Sequence, residues 1–221
     1  MHNKITLVIG GCRSGKSSHA LYLANRIAEN QKQTECNDKN LSCRRKIFMA
    51  TSVPTDQEMD ARVVKHQKER GDDWITAEVP IEIPAKIREL STEQTLPFAD
   101  QMISTNNKVD MCDKSKTEAD VILVDCLTLW VSNLMFDNFD DDGVFKMTQE
   151  LQDALEHSSL PIFLVSNEVG MGVVPENSLA RRFRDMAGMV NQKIAQTADQ
   201  VIYMVAGIPM IIKTQNLRKK L

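Results

Sequence analysis

The chain has 221 residues, of which 42% are hydrophobic, and a formal net charge of −3, which allows one large or two small domains and a sizeable core. The acidic balance gives no global basic field for nucleic acid, and neither a signal peptide nor an apolar run of about 20 residues occurs, so we expect a cytoplasmic protein without a transmembrane segment. The five cysteines are odd in number and form no C-x-x-C pair, which supports neither a disulfide framework nor a zinc site.

The first predicted strand, residues 5–9, leads into a glycine-rich turn and a predicted helix over residues 17–30. The turn fits the phosphate-binding motif G-x-x-x-x-G-K-[ST], and its residues are Gly10, Gly11, Cys12, Arg13, Ser14, Gly15, Lys16 and Ser17. In such a loop, backbone N–H groups and the helix N-terminus surround phosphate oxygens. Lys16 would contact the β- and γ-phosphates, and the Ser17 hydroxyl would ligate Mg²⁺. A chance match is the alternative, but the strand before and the helix after favour a nucleoside triphosphate site.

Residues 46–50 predict a second strand, which ends at Ala50, Thr51 and Ser52. Ligands gather at the carboxyl ends of parallel strands, so we expect these three residues near the phosphate loop, although an ordinary strand-end turn is an equal alternative. The preceding polar segment, residues 31–45, is interpreted as a surface insertion.

A helix is predicted over residues 56–70. Glu58, Arg62, His66 and Arg70 are spaced four apart and so form one stripe on it. Arginines beside His66 would favour a neutral, nucleophilic imidazole and could hold a phosphate against it. A solvated helix face with a surface histidine is the alternative, and the spacing alone favours it.

Two further strands are predicted over residues 74–79, with Glu78 at the end, and 121–125, which closes with Asp125. An acid at the end of a buried strand holds Mg²⁺ in many phosphate-loop enzymes. Such an acid is common, so the prediction depends on the phosphate loop. Residues 91–118 are interpreted as a long surface loop.

The remaining elements also alternate between strands and helices. We predict helices over 81–90, 126–136, 144–156 and 179–197, strands over 161–166 and 200–205, and an edge hairpin strand over 207–213. An acidic solvated turn is predicted over 137–143, a long connection over 167–177, and a basic tail over 214–221. Arg181, Arg182 and Arg184 either contact phosphate or form a solvated face. The alternation predicts one α/β domain over residues 1–221 with a mainly parallel sheet.

Several of these segments together resemble one family, the bifunctional adenosylcobinamide kinase / adenosylcobinamide-phosphate guanylyltransferases of cobalamin biosynthesis. The resemblance rests on the phosphate loop, on Ala50–Ser52, on E-M-D-A-R with His66, on W-x-T-x-E, and on the run S-N-E-V-G-M-G-V-V-P-E-N at 166–177 with its continuation to Gln192. The phosphate loop is widespread, whereas the run at 166–177 is far more specific.

The resemblance implies a RecA-like phosphate-loop fold, commonly a homotrimer, and two reactions. A nucleoside triphosphate, GTP or ATP, phosphorylates the aminopropanol hydroxyl of adenosylcobinamide; GTP then transfers GMP to that phosphate through a guanylylated His66, and pyrophosphate leaves. The family also implies nucleotide contacts at Ala50–Ser52, Glu78 and Asp125, and at Gln67, Lys68, Glu69 and Arg70. Lys16, the arginines and Mg²⁺ would stabilise the developing charge.

Two other functions stay open. The first is a simpler phosphotransferase that acts on a small alcohol through Lys16, Ser17 and Asp125 and leaves His66 idle. The second is a nucleotide-gated binding module without turnover. Only the resemblance at 166–177 argues against them.

Overall fold

The computed structural model describes residues 4–35, 45–52, 70–71, 73–91 and 119–214. Within them, seven strands form one sheet in the order β3-β2-β4-β5-β1-β6-β7. The strands are β1 (Ile5–Gly10), β2 (Arg45–Ala50), β3 (Trp74–Glu78), β4 (Ala119–Asp125), β5 (Ile162–Asn167), β6 (Gln200–Val205) and β7 (Ile208–Lys213). All neighbouring pairs are parallel except β6 and β7, which form an antiparallel hairpin.

The described helices cover both faces of this sheet unequally. They are α1 (Lys16–Glu35), α2 (Ile83–Ser91), α3 (Leu127–Phe136), α4 (Asp141–His157) and α5 (Ser178–Thr197). Apolar side chains of α2 to α5 pack with one face of the sheet, around the fully buried Trp130. The other face carries α1, whose Ala20, Ala24 and Ala28 are buried against Val8, Phe163 and Val165 among others. The expected α/β phosphate-loop fold with a mainly parallel sheet is confirmed.

Helix α1 and helix α4 are longer than the sequence pattern predicts. Helix α1 continues through Glu35, into the segment interpreted as an insertion over 31–45, because glutamine, lysine and glutamate favour a helix without an apolar period. Helix α4 begins at Asp141, inside the predicted acidic turn, because the Asp140 side chain accepts a hydrogen bond from Gly143 N and caps it. The turn interpretation was therefore wrong for residues 141–143.

Other boundaries agree with the predicted elements. Asn177, one of two expected caps for α5, accepts a hydrogen bond from Ala180 N at 3.1 Å. The predicted helix over 56–70 lies outside the described residues except for Arg70, which is helical. Residues 36–44, 92–118 and 215–221, which hold most of the expected insertions and tail, also lie outside them. No helix in the described ranges combines the length and apolar character needed to cross a membrane.

Candidate nucleotide site at the carboxyl edge of the sheet

The glycine-rich turn joins β1 to α1 at the carboxyl edge of the sheet. Gly10 has no room for a side chain, because an added Cβ would overlap the Met204 carbonyl oxygen and lie 2.9 Å from Ser14 Oγ. Gly15 has a φ of 88°, a left-handed conformation that favours glycine. The turn is tied to the β6–β7 hairpin, since Gly207 N donates to the Ser14 carbonyl at 3.1 Å. These contacts fix a compact loop whose following helix starts at Lys16.

Lys16 is the central cation of this edge. Its side chain is buried, and Nζ donates to the Gly11 carbonyl oxygen at 2.5 Å. Burial lowers the pKa of Lys16 from its ordinary value, while the negative charge of Asp125 opposes this shift. The ammonium therefore interacts with both the turn and the end of β4. An anionic ligand bound here would stabilise the charged form of Lys16, which burial disfavours.

Asp125 and its neighbours close the opposite side of the site. Residues 121 and 123 of β4 pack on the α1 face, so the alternation of a strand places Asp125 on that face too. Thr51 is fully buried, and its hydroxyl accepts from Cys126 N and donates to the Cys126 carbonyl, both at 2.8 Å. The end of β2 is thereby fastened to the residue that follows Asp125. Burial raises the pKa of the Cys126 thiol to about 11, and Asp125 reinforces this shift.

Arg70 brings a second cation to the same face. Its guanidinium carbon lies 3.5 Å from the centre of the Phe48 ring, and Nη2 donates to Thr76 Oγ1 at 3.4 Å. The side chain is buried, which lowers the pKa of Arg70, and Asp125 again opposes the shift. Lys16 and Arg70 thus both interact electrostatically with one carboxylate, that of Asp125.

The structure brings together most of the described residues that the sequence nominated. The phosphate turn, Ala50–Ser52, Glu78 and Asp125 all follow or end parallel strands at one edge, and Ala50 pairs in register with both Glu78 and Asp125. Arg70 precedes β3, and its guanidinium interacts electrostatically with Asp125. His66, Gln67, Lys68 and Glu69 lie outside the described residues, so their assignments stay predictions.

The arginines at the start of α5 make local contacts. Arg181 Nη1 donates to the carbonyl oxygens of Pro175 and Glu176, and Arg182 Nε donates to Asp141 at 2.6 Å. These contacts fix the connection after β5 and join α5 to α4. For these two residues the observed partners are structural groups of the chain itself.

One part of the site could not be recognised from the sequence. Both backbone groups of Asn167, the last residue of β5, are held by side chains: Asn167 N donates to Thr128 Oγ1 at 2.7 Å, and its carbonyl accepts from Asn191 Nδ2 at 3.0 Å. Glu168 N then donates to the Gly10 carbonyl at 2.9 Å. A strand end followed by a specific loop was the only signal, and it did not indicate Thr128 or Asn191.

The chain is similar in sequence to proteins of one known family. The family model described as cobinamide kinase / cobinamide phosphate guanyltransferase matches residues 6–109 and 99–212. A bifunctional adenosylcobalamin biosynthesis protein, CobU, of Salmonella typhimurium is 35% identical over 94% of this chain and 98% of its own length. The corresponding CobP of Pseudomonas aeruginosa is 34% identical, with 96% and 98% covered. The CobU of Escherichia coli is 32% identical, with 94% and 98% covered.

Proposed function

The chain belongs to the cobinamide kinase / cobinamide phosphate guanyltransferase family, and from this premise we propose that its one nucleotide site serves two transfers. In the first, the aminopropanol hydroxyl oxygen of adenosylcobinamide bonds to the γ-phosphorus, the bond to the nucleoside diphosphate breaks, and the hydroxyl proton passes to water. In the second, GMP moves from GTP to the new phosphate, and pyrophosphate leaves. The enzyme is a transferase of cobalamin biosynthesis.

The position of Lys16 is the observation that carries this proposal. Its buried ammonium contacts Gly11 and interacts with Asp125, so it lies over the carboxyl edge between the phosphate turn and the acid. A triphosphate that enters the turn would meet Lys16, the N–H groups of the turn and the positive end of α1 together. These groups stabilise negative charge on the phosphates in either transfer.

His66 is the proposed nucleophile of the second transfer. A neutral ring nitrogen would attack the α-phosphorus of GTP and displace pyrophosphate; the phosphate oxygen of adenosylcobinamide phosphate would then attack the same phosphorus and release the histidine. Arg70, four residues further along the chain, supports this role, because its guanidinium interacts electrostatically with Asp125 of the site.

Mg²⁺ is the proposed metal. Ser17 and Asp125 supply one hydroxyl and one carboxylate oxygen at the carboxyl edge, which is the hard oxygen donor set that Mg²⁺ takes together with water and phosphate oxygens. The ion would neutralise charge on the phosphates. Ser17 and Asp125 are therefore the proposed metal ligands.

Assembly and location extend the proposal. Ile208, Met210, Ile211 and Ile212 of the edge strand β7 are more than half exposed, and exposed apolar side chains of this kind support self-association. We propose a homotrimer in the cytoplasm, where nucleoside triphosphates are supplied. Light scattering after size-exclusion chromatography measures the stoichiometry, and cell fractionation the location.

Covalent labelling tests the central proposal. With Mg²⁺ and GTP labelled at the α-phosphate, we expect wild type to carry a base-stable, acid-labile adduct and His66→Ala to carry none. His157→Ala is the matched control, because His157 is an exposed residue of α4 on the other side of the sheet. His66→Ala should still convert adenosylcobinamide to its phosphate.

The same assay separates the alternatives. Unlabelled wild-type protein that forms only a nucleoside diphosphate and a phosphorylated alcohol would indicate a simple kinase. Neither label nor turnover, with nucleotide-dependent capture of a protein partner, would indicate a binding module.

A further inference from the structure

Asn167 occupies the place in the sheet between the two halves of the phosphate site. Strand β5 lies between β1 and β4. In the register of these strands, Asn167 pairs with Gly10 of the phosphate turn, while Val165 pairs with Asp125. Since parallel strands are about 4.8 Å apart, Asn167 lies one strand from the turn and one strand from the acid.

Asn167 is also on the face of the sheet that carries α1 and the phosphate turn. Phe163 and Val165 of β5 pack on the α1 side, so the two-residue alternation assigns Asn167 to the same side. Lys16 contacts Gly11 on one flank of β5 and interacts with Asp125 on the other. The strand that Asn167 terminates therefore lies between two groups that act on the Lys16 ammonium, which would bind the β- and γ-phosphates.

The backbone of Asn167 is held more firmly than that of an ordinary strand end. Thr128 Oγ1 accepts from its N–H at 2.7 Å and also contacts Ser166 Oγ at 3.2 Å. The buried Asn191 donates to its carbonyl at 3.0 Å. Two helices, α3 and α5, thus fix the backbone of this residue. Support of this kind holds a functional side chain within about half an ångström of its productive position.

The side chain itself is uncommitted. Asn167 is partly exposed, and among the described residues its amide has no hydrogen-bond partner. A carboxamide offers two N–H donors without charge. It can therefore donate to a phosphate oxygen, and because it is uncharged it leaves the electrostatic interaction between Lys16 and Asp125 unchanged.

We propose that the Asn167 amide donates a hydrogen bond to the γ-phosphate during phosphoryl transfer, and that Thr128 and Asn191 position it. This inference rests on the proposed function. In that step the alcohol oxygen bonds to the γ-phosphorus, the γ-phosphorus separates from the β–γ bridging oxygen, the diphosphate keeps the electron pair, and the proton goes to water. Charge on the γ-oxygens changes there, whereas guanylyl transfer breaks the bond at the α-phosphorus.

The proposal predicts that the two reactions separate in one variant. In Asn167→Ala, kcat for adenosylcobinamide phosphorylation should fall about 100-fold, as when one preorganised donor is removed, while covalent guanylylation with labelled GTP changes less than about fivefold. Asn167→Asp should lower kcat further, because its charge repels the γ-phosphate. Gln149→Ala is the matched control, since Gln149 is an exposed amide on α4, and it should leave both rates unchanged.

Thr128 tests the positioning part. Thr128→Val keeps the shape but loses the acceptor for Asn167 N, so kcat for phosphorylation should fall about tenfold with KM for the nucleotide unchanged. Thr128→Ser keeps the hydroxyl and should restore kcat. A merely structural threonine would lower thermal stability in both variants and leave the kcat of the folded fraction intact.

Equal loss of both transfers in Asn167→Ala, or no loss of either, would overturn the inference. Failure of the proposed function is distinguishable, because it would show in wild type as absent guanylylation or absent phosphorylation. If wild type only phosphorylates, the change in kcat between wild type and Asn167→Ala still decides the role of Asn167.

Discussion

Thr51→Val should destabilise the fold through a single orphaned amide. Valine has nearly the shape of threonine, so no cavity forms. The Cys126 carbonyl keeps a second donor, Trp130 N at 3.2 Å, whereas Cys126 N loses the acceptor that Thr51 supplies at 2.8 Å. Both residues are buried, so water replaces the lost hydroxyl poorly. An unsatisfied buried donor costs about 1–3 kcal/mol, and we expect a loss of about 2 kcal/mol in the free energy of unfolding.

Equilibrium unfolding in urea measures this loss as a lower midpoint at an unchanged m-value. Thr51→Ser keeps the hydroxyl and loses one methyl group, which should cost about 1 kcal/mol. Thr51→Ala loses both and should be the least stable of the three. The reasoning is refuted if Thr51→Val unfolds within about 0.5 kcal/mol of wild type, or if Thr51→Ser is less stable than Thr51→Val.

Three further outcomes follow from the site and its helix. Burial lowers the pKa of Lys16 in the folded protein below its ordinary value of 10.5, so between the folded and unfolded pKa values the unfolded chain binds more protons and the stability of the wild type rises with pH. Lys16→Met should therefore be more stable than wild type at pH 7, by a margin that shrinks towards pH 10.5 in urea titrations. Its turnover should fall at least about 100-fold. Gly10→Ala should abolish nucleotide binding in calorimetry because its Cβ overlaps Met204, whereas Gly188→Ala, in open space on α5, should raise stability by about 1 kcal/mol. The buried Cys126, with a thiol pKa of about 11, should escape iodoacetamide in peptide mapping at pH 8 until denaturant is added, and rapid modification of the native protein would contradict its burial.

The strands could be predicted because each is a short apolar run bounded by turn residues. Strand β6, over Gln200–Val205, matches its prediction at both ends. Helix ends were harder, because they depend on one capping hydrogen bond rather than on periodicity. Asp140 shows this: the sequence pattern of consecutive acids indicates a solvated turn, yet its carboxylate accepts from Gly143 N and starts a helix.

The phosphate turn with Lys16 could be proposed from the sequence because its residues have a fixed local spacing, and Asp125 because it closes a short apolar strand. The stacking of Arg70 on Phe48 could not, since it depends on the parallel pairing of β2 and β3 across residues far apart in the chain. The support of Asn167 by Thr128 and Asn191 has the same origin. Such contacts follow from strand order, which no local pattern contains.

The small side chains of α1 set the height of the phosphate turn above the sheet. Ala20, Ala24 and Ala28 are at most 1% exposed and recur every fourth residue, so the helix axis can approach the strands closely along these three residues. Lys16 is the first residue of this helix, so a shift of the helix would also move Lys16. A bulkier residue at position 24 would move that end away from the sheet and weaken nucleotide binding from two turns away. These buried alanines therefore influence nucleotide affinity without contacting the ligand.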